Sequence, residues 1–160
     1  MPMGPIELAD QVGLDICLAV GDMLRSKFGD LLPPTPAWLR EKVAKGELGR
    51  KTGRGFYVWK DGKADKTAPS EVAKPTPEMI DRLILPMSNV CVACLREGIV
   101  DNADVVDGAM VFGTGYAPFR GGPLNYARER GKENVVVKLH DLAEKFGHRF
   151  TPDTGWENFT

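Results

Sequence analysis

The amino-acid sequence predicts an all-α chain of two tandem helical repeats, with a short extended hairpin near residues 55–64. Two observations lead to this fold class. Apolar residues recur at three- and four-residue spacing through most of the chain, between prolines that open helices and glycines that close them. A set of these punctuating residues also occurs twice in the same order, which indicates one helical unit used two times.

The first helices are predicted from their start and stop signals. Pro5 suits a first helical turn and Gly13 its end, after which Asp15 is expected to cap a helix over residues 16–28. Thr35 and the proline after it repeat the cap signal for a short helix that stops at Gly46.

A basic, glycine-rich segment follows these helices. Residues 40–66 contain nine basic and four acidic residues, a local excess of five positive charges. Within it the β-prone residues 56–59 and the turn signal Asp61-Gly62 predict the hairpin. We expect Phe56, Tyr57 and Trp59 to anchor this segment to the helices, with Trp38 packed nearby.

The second half of the sequence predicts several helices with recognisable N-caps. The longest helix is expected to start at Thr76-Pro77 and to end near Gly98, with a bend at Pro86. Asn102 is expected to cap the next one, and a Gly-Thr-Gly turn should follow it. The predicted ranges are residues 102–112, 123–131 and 133–146, and the tail from residue 148 is expected to be a surface strap or disordered.

The internal repeat is an ungapped match of residues 4–34 with residues 122–152. Nine of the 31 aligned pairs are identical. They are Gly4/Gly122, Pro5/Pro123, Ala9/Ala127, Gly13/Gly131, Leu24/Leu142, Lys27/Lys145, Phe28/Phe146, Gly29/Gly147 and Pro34/Pro152. In the second copy two predicted helices precede this unit, whereas nothing precedes it in the first. The predicted domains are therefore an N-terminally truncated first repeat (residues 1–66), a linker (67–76) and a second repeat (77–160), and we expect the chain to be a fragment.

Three motifs resemble a known family. They are PMGPIELAD with VGLD in residues 2–15, LGRKTGRGFY in residues 48–57, and LREGIV with FGTGYAPFRGGP in residues 95–123. Together they resemble the C-terminal region of 3-hydroxyacyl-CoA dehydrogenase, of the multifunctional fatty-acid oxidation complex alpha-subunit type. The resemblance implies two repeats of the 6-phosphogluconate dehydrogenase C-terminal-domain-like fold.

The resemblance also implies a function for the parent protein, an NAD-dependent (S)-3-hydroxyacyl-CoA dehydrogenase of fatty-acid beta-oxidation. It implies upstream NAD-binding and enoyl-CoA hydratase domains, a thiolase subunit as partner, a possible homodimer, and a cytoplasmic location. The family's catalytic His, Glu and Asn have no matching positions here. We therefore expect no catalytic or cofactor-binding residue in this chain, no NAD bound to it, and no activity from it alone.

Composition excludes several other classes. The net charge of -1 gives no general attraction for nucleic acid, and no apolar run is long enough to span a membrane. His140 has no nucleophile or metal partner near it in the sequence, and His148 follows a helix-ending glycine where a cation suits the helix dipole, so we expect neither to be a catalytic base. Cys91 and Cys94 form a C-x-x-C pair inside a predicted helix. We expect both side chains to pack in the core, because no second Cys or His cluster completes a metal site and helical packing explains the pair more simply than a redox role.

The candidate contact residues are Arg50, Lys51 and Arg54. On a glycine-rich backbone they suit the phosphates of CoA or an acidic neighbouring domain, although a solvated loop is the simpler reading. An alternative function also remains at this stage, in which the chain is an independent, non-catalytic acyl-CoA-binding or assembly module.

Overall fold

A computed structural model describes residues 3–29, 32–66 and 74–160 of the chain. It confirms the all-α class, with one small two-stranded sheet in the described residues. Two compact units are present, Pro2–Ala73 and Lys74–Thr160. Most of the predicted linker, residues 67–73, lies outside the described residues. In the part of the chain that is described, no helix has the length and apolarity needed to cross a membrane.

Among its described residues, the N-terminal unit contains three α-helices and the hairpin. Its elements are α1 (Pro5–Val12), α2 (Leu14–Phe28), α3 (Ala37–Ala44), β1 (Trp59–Lys60) and β2 (Lys63–Ala64). The strands are antiparallel, with Trp59 opposite Ala64 and Lys60 opposite Lys63. Asp61 and Gly62 form the turn with φ values of 49° and 75°, the left-handed pair that a two-residue hairpin requires. The predicted hairpin is thereby confirmed.

Two predicted helix caps in this unit are wrong. Helix α2 begins at Leu14, directly after Gly13, so Asp15 lies in its first turn. The Asp15 carboxylate instead accepts hydrogen bonds from Lys51 Nζ at 2.6 Å. Thr35 does not cap α3 either, because its hydroxyl donates to Asp22 Oδ1 at 2.8 Å. In both cases a long-range polar partner takes the side chain that the local pattern assigned to a helix end.

The C-terminal unit consists of four helices followed by an ordered tail. The helices are α4 (Pro77–Arg96), α5 (Ala103–Thr114), α6 (Pro123–Arg130) and α7 (Lys132–Phe146). The caps at Thr76 and Asn102 are confirmed, since each side chain accepts a hydrogen bond from the backbone N–H three residues later. The predicted Gly-Thr-Gly turn is shorter than expected, because α5 continues to Thr114 and ends at Gly115 with φ 70°.

The core of this unit is aliphatic at its centre and aromatic toward the tail. Its largest fully buried aliphatic side chains come from α4, α6 and α7: Leu85, Val92, Leu124, Val135 and Leu139. The prediction of a surface strap or disordered tail is wrong, because Phe150, Trp156 and Phe159 are all buried in this core. The Trp156 indole also donates to Asn89 Oδ1 at 2.7 Å. Three separated aromatic residues hold the tail without producing helical periodicity.

The internal repeat has the same helix boundaries in both copies. A shift of 118 positions carries the ends of α1 and α2 onto the ends of α6 and α7 without a residue of difference. The glycines that join the helices are also alike, with φ and ψ of 110° and 130° at Gly13 and of 89° and 120° at Gly131. The repeated two-helix unit predicted from the sequence is therefore present in the structure.

Candidate functional site

The basic loop of the N-terminal unit is organised around the buried carboxylate of Asp10. This residue lies in α1 and is fully buried. Its Oδ1 accepts a hydrogen bond from Phe56 N at 2.8 Å, and its Oδ2 accepts hydrogen bonds from Tyr57 N and Trp59 Nε1, both at 2.9 Å. A buried charge is stabilised by several such donors. The carboxylate therefore fixes the end of the loop to α1.

Two glycines of the LGRKTGRGFY motif let the backbone approach Asp10 closely. A Cβ at Gly49 would lie 2.3 Å from the Asp10 carbonyl oxygen, and one at Gly55 would lie 2.2 Å from Asp10 Oδ1. Both distances are far shorter than non-bonded contacts permit, so no side chain fits at either position. The threonine of the motif adds a further tie, because the Thr52 hydroxyl accepts from Leu48 N at 3.0 Å and donates to Arg54 O at 3.1 Å.

The predicted contact residues Arg50, Lys51 and Arg54 all lie on this loop, and each has a partner within its own unit. Arg50 donates to Gln11 Oε1 at 2.9 Å. Lys51 pairs with Asp15, and Arg54 Nε lies 3.3 Å from Glu47 Oε1. The Arg54 side chain is 68% exposed, against 44% for Lys51. The structure thus brings the three cations together on one short loop.

Two acidic residues near the loop, Glu47 and Asp15, are bound by lysine side chains. Lys42 Nζ donates to Glu47 Oε2 at 2.8 Å and to the Gly55 carbonyl at 3.0 Å. The hydrogen bond from Lys42 lowers the pKa of Glu47, and the one from Lys51 lowers the pKa of Asp15. Both carboxylates therefore keep their negative charge to a lower pH than usual, and they offset part of the positive charge of the loop.

The anchoring role predicted for Phe56 and Trp59 agrees with the structure, whereas Tyr57 is bound to Asp10 through its backbone N–H. The rings of Trp38 and Phe56 meet edge-to-face at 5.5 Å between centroids. Trp59 is buried and is bound to Asp10. The loop is thus fixed to α1 by hydrogen bonds and to α3 by an aromatic contact.

The histidines and cysteines considered as catalytic or metal-binding residues lie apart from this loop in the sequence. His140 and His148 are exposed. Cys91 is buried, and desolvation raises the pKa of its thiol to about 12, which leaves it protonated and unreactive at neutral pH. Among the described residues, no group of three His, Cys, Asp or Glu side chains is placed to hold a metal ion.

A dinucleotide cofactor does not fit the described residues. An NAD site needs a parallel strand that leads through a glycine-rich turn into a helix N-terminus. The strands described here form one antiparallel hairpin, and Gly113 and Gly115 lie at the C-terminal end of α5. The described residues therefore lack the strand–turn–helix arrangement that binds such a cofactor.

Several important carboxylates were not predicted from the sequence. Asp10 ends the PMGPIELAD motif, and nothing in that motif indicates that its carboxylate is buried. In the C-terminal unit, Asp107 of α5 accepts hydrogen bonds from Leu124 N and Asn125 N, each at 2.8 Å, and so caps α6. The carboxylate of Asp81 in α4 is held by both terminal nitrogens of Arg130. The sequence signal that could have indicated these buried carboxylates is an acidic residue on the apolar side of each helix.

The comparison with known sequences identifies the family suggested by the motifs. Residues 1–59 match the family described as 3-hydroxyacyl-CoA dehydrogenase, C-terminal domain. The fatty acid oxidation complex subunit alpha of Vibrio vulnificus is 37% identical to the chain over 163 residues, and that of Shewanella amazonensis is 33% identical over 162. These matches cover 96% and 94% of the chain but 23% of each relative, so the chain spans about a quarter of the length of these curated proteins.

Comparison with solved structures supports the fold. The 3-hydroxybutyryl-CoA dehydrogenase of Escherichia coli matches 98% of the chain and 51% of its own length, with a TM-score of 0.73 at 19% identity. The dehydrogenase part of multifunctional enzyme 1 from C. elegans matches 99% of the chain and 39% of its own length, with a TM-score of 0.60 at 18% identity. The resemblance predicted from the motifs is thus confirmed: residues 1–59 carry the C-terminal domain of the 3-hydroxyacyl-CoA dehydrogenase family, and nearly the whole chain corresponds to part of a fatty acid oxidation complex alpha subunit.

Proposed function

We propose that this chain serves as the helical C-terminal region of an NAD-dependent (S)-3-hydroxyacyl-CoA dehydrogenase in fatty-acid beta-oxidation. In this role it completes the acyl-CoA cleft and provides contacts to other domains and subunits. NAD and the catalytic base belong to other parts of the parent protein, which also carries an enoyl-CoA hydratase domain and works with a thiolase subunit. The chain alone is inactive.

One observation carries the proposal: the 37% identity to a fatty acid oxidation complex alpha subunit extends over 96% of the chain. The loop geometry is consistent with it. The LGRKTGRGFY motif is held by Asp10 through three hydrogen bonds and by two glycines that admit no side chain. A loop fixed in this way presents its cations in one arrangement, which is what recognition of a phosphate or an acidic surface needs.

Within this loop, Arg54 is the residue we assign to contact with CoA or a neighbouring domain. Its side chain is largely exposed, and its ion pair with Glu47 is 3.3 Å long. Arg50 is bound to Gln11 of α1 at 2.9 Å, and Lys51 is bound to Asp15 of α2 at 2.6 Å. They orient the loop and contribute positive potential beside Arg54.

The experiment is a chimera in which this chain replaces the aligned segment of the Vibrio vulnificus alpha subunit. NADH production from 3-hydroxybutyryl-CoA is then measured for the chimera and for the chain alone. We expect activity from the chimera only, and a higher KM for 3-hydroxybutyryl-CoA in the chimera with Arg54→Glu than in a Lys138→Glu control on α7. Tight binding of the CoA ester to the chain alone would instead favour an independent acyl-CoA-binding module. An inactive chimera that folds would refute the proposal.

A further inference from the structure

The C-terminal unit contains a cleft of about 520 Å³, lined by the start of α4, by α6 and by the turn that precedes α6. This volume is typical of a site for a small molecule. One wall is apolar and is formed by Pro75, Pro77 and Ile80. The side chain of Tyr126, which packs against the core of the unit, also lines the cleft. The cleft therefore offers flat apolar surfaces to a ligand.

Two charged residues of the cleft neutralise each other. Both terminal nitrogens of Arg130 donate hydrogen bonds to the Asp81 carboxylate, and Asp81 is only 6% exposed. Arg130 Nη1 also donates to the Tyr126 hydroxyl oxygen at 3.1 Å, which leaves the hydroxyl hydrogen as a donor. Because this ion pair joins α6 to α4, it has a structural role of its own.

The other two charged residues that line the cleft are Arg120 and Glu129. The Arg120 guanidinium lies 5.7 Å from the centroid of the Phe119 ring and 5.8 Å from that of the Tyr126 ring. The Glu129 carboxylate accepts a hydrogen bond from Asn125 Nδ2 at 3.2 Å. Among the described residues, neither side chain lies within ion-pair distance of an opposite charge. A cation and an anion therefore line one cleft without neutralising each other.

The turn that carries Arg120 is held beside Glu129 by a single amide group. Arg120 ends the 3₁₀ turn Pro118–Arg120, and its carbonyl accepts a hydrogen bond from Asn125 Nδ2 at 3.0 Å. Gly121 follows with φ of 70°, and a Cβ there would lie 2.7 Å from the same nitrogen. Since Asn125 Nδ2 also binds Glu129, both charged residues are fixed before any ligand arrives.

The composition of the cleft is not a property of the repeated helix pair. A shift of 118 positions places Leu8, Gln11 and Val12 of α1 where α6 has Tyr126, Glu129 and Arg130. The helix boundaries are nevertheless the same in both copies. The fold of the pair therefore does not require an aromatic, an acidic and a basic residue at these three places.

We propose that this cleft binds a small zwitterion with an apolar body, the chemistry of an apolar α-amino acid. The ligand carboxylate binds the Arg120 guanidinium and the Tyr126 hydroxyl, and the ligand ammonium group binds the Glu129 carboxylate. The apolar side chain of the ligand packs against Pro75 and Pro77. A ligand of one charge sign would meet a like charge in the cleft, whereas a zwitterion satisfies both residues. The proposal is independent of the dehydrogenase role.

The test compares three probes that share a benzyl side chain. L-Phenylalanine carries both charges, N-acetyl-L-phenylalanine lacks the ammonium group, and L-phenylalaninamide lacks the carboxylate. Each probe is titrated into the whole chain, and binding is followed by the NMR chemical shifts of the Ile80 and Gly121 backbone N–H groups. We expect saturable shifts with L-phenylalanine and roughly tenfold weaker binding of the other two probes, because each loses one charged contact.

Two substitutions assign each charge of the ligand to its residue. Glu129→Gln should abolish the preference for L-phenylalanine over the N-acetyl probe, and Arg120→Gln should abolish its preference over the amide. Glu133→Gln and Arg149→Gln are the matched controls, because both residues are exposed and do not line the cleft. Arg149 also lies over an aromatic ring, as Arg120 does. All four substitutions are at exposed positions, so the variants should unfold in urea like the unsubstituted chain.

Several results would overturn the proposal. One is the absence of saturable shifts at Ile80 and Gly121, and another is equal affinity for the three probes. A preference for L-phenylalanine that survives both Glu129→Gln and Arg120→Gln would place the ligand elsewhere. Tightest binding of N-acetyl-L-phenylalanine would also contradict the proposal, because it would indicate a site for simple anions.

Discussion

Substitution of Asp10 by asparagine removes the charge that holds the basic loop while keeping the shape of the side chain. The carboxylate accepts three hydrogen bonds, one at Oδ1 and two at Oδ2. An asparagine oxygen can keep the two from Tyr57 and Trp59, but its NH₂ group then faces the Phe56 N–H. One bond to a charged acceptor is lost and two donors oppose each other. Because such a bond contributes about 1.5–3 kcal/mol, we expect the free energy of unfolding of the N-terminal unit to fall by about 2–3 kcal/mol.

The assay is native-state hydrogen exchange with urea unfolding followed by far-ultraviolet circular dichroism. The Phe56 amide should exchange much faster in Asp10→Asn than in the unsubstituted chain. Asp22→Asn is the matched control, because the Asp22 ion pair with Arg40 is exposed to solvent and such pairs contribute little to stability. A loss below about 0.5 kcal/mol, typical of a surface substitution, together with unchanged exchange at Phe56, would refute the role given to this carboxylate.

Three further substitutions test the packing of both units. Asp107→Ala should destabilise the C-terminal unit by about 2–4 kcal/mol in urea, because two backbone N–H groups lose their acceptor, whereas Asp104→Ala on the same helix should change it by less than about 0.5 kcal/mol. Gly55→Ala should unfold the N-terminal unit at lower urea, since its Cβ would overlap the buried carboxylate of α1; unchanged stability would contradict that geometry. The Arg96 hydrogen bond lowers the pKa of Asp153. The stabilisation from this Arg96–Asp153 pair is therefore present above the Asp153 pKa of the unfolded chain, roughly 4, and is lost as the pH falls through the lower pKa of the folded chain. Arg96→Gln should accordingly lower Tm at neutral pH and have a smaller effect on Tm in acid.

The helices were predictable because their signals are local. Pro5, Gly13, Thr76 and Asn102 each act within one helical turn, and the structure places helix ends at or beside them. The same local signals failed at Asp15, whose carboxylate is taken by a lysine 36 positions away. Propensity at a helix end is worth about 1 kcal/mol, so a well-placed ionic partner can override it.

The candidate site was predictable in composition and not in organisation. Arg50, Lys51 and Arg54 stand out as charges on a glycine-rich stretch, and the structure places them on one loop. The residue that anchors their loop is Asp10, which lies 46 positions before Phe56. No pattern along the sequence predicts a hydrogen bond between residues so far apart. The ordered tail was missed for the same reason, because the burial of Trp156 depends on α4 and not on its neighbours in sequence.

The most direct test of the whole account joins the Asp10 anchor to the proposed function. Steady-state NADH production from 3-hydroxybutyryl-CoA is measured for the chimeric alpha subunit with Asp10, with Asp10→Asn and with Asp22→Asn. If the chain serves catalysis as a scaffold whose loop is fixed by Asp10, Asp10→Asn lowers kcat/KM by about tenfold or more, and Asp22→Asn keeps it within about twofold. Equal activity in all three proteins would contradict the account.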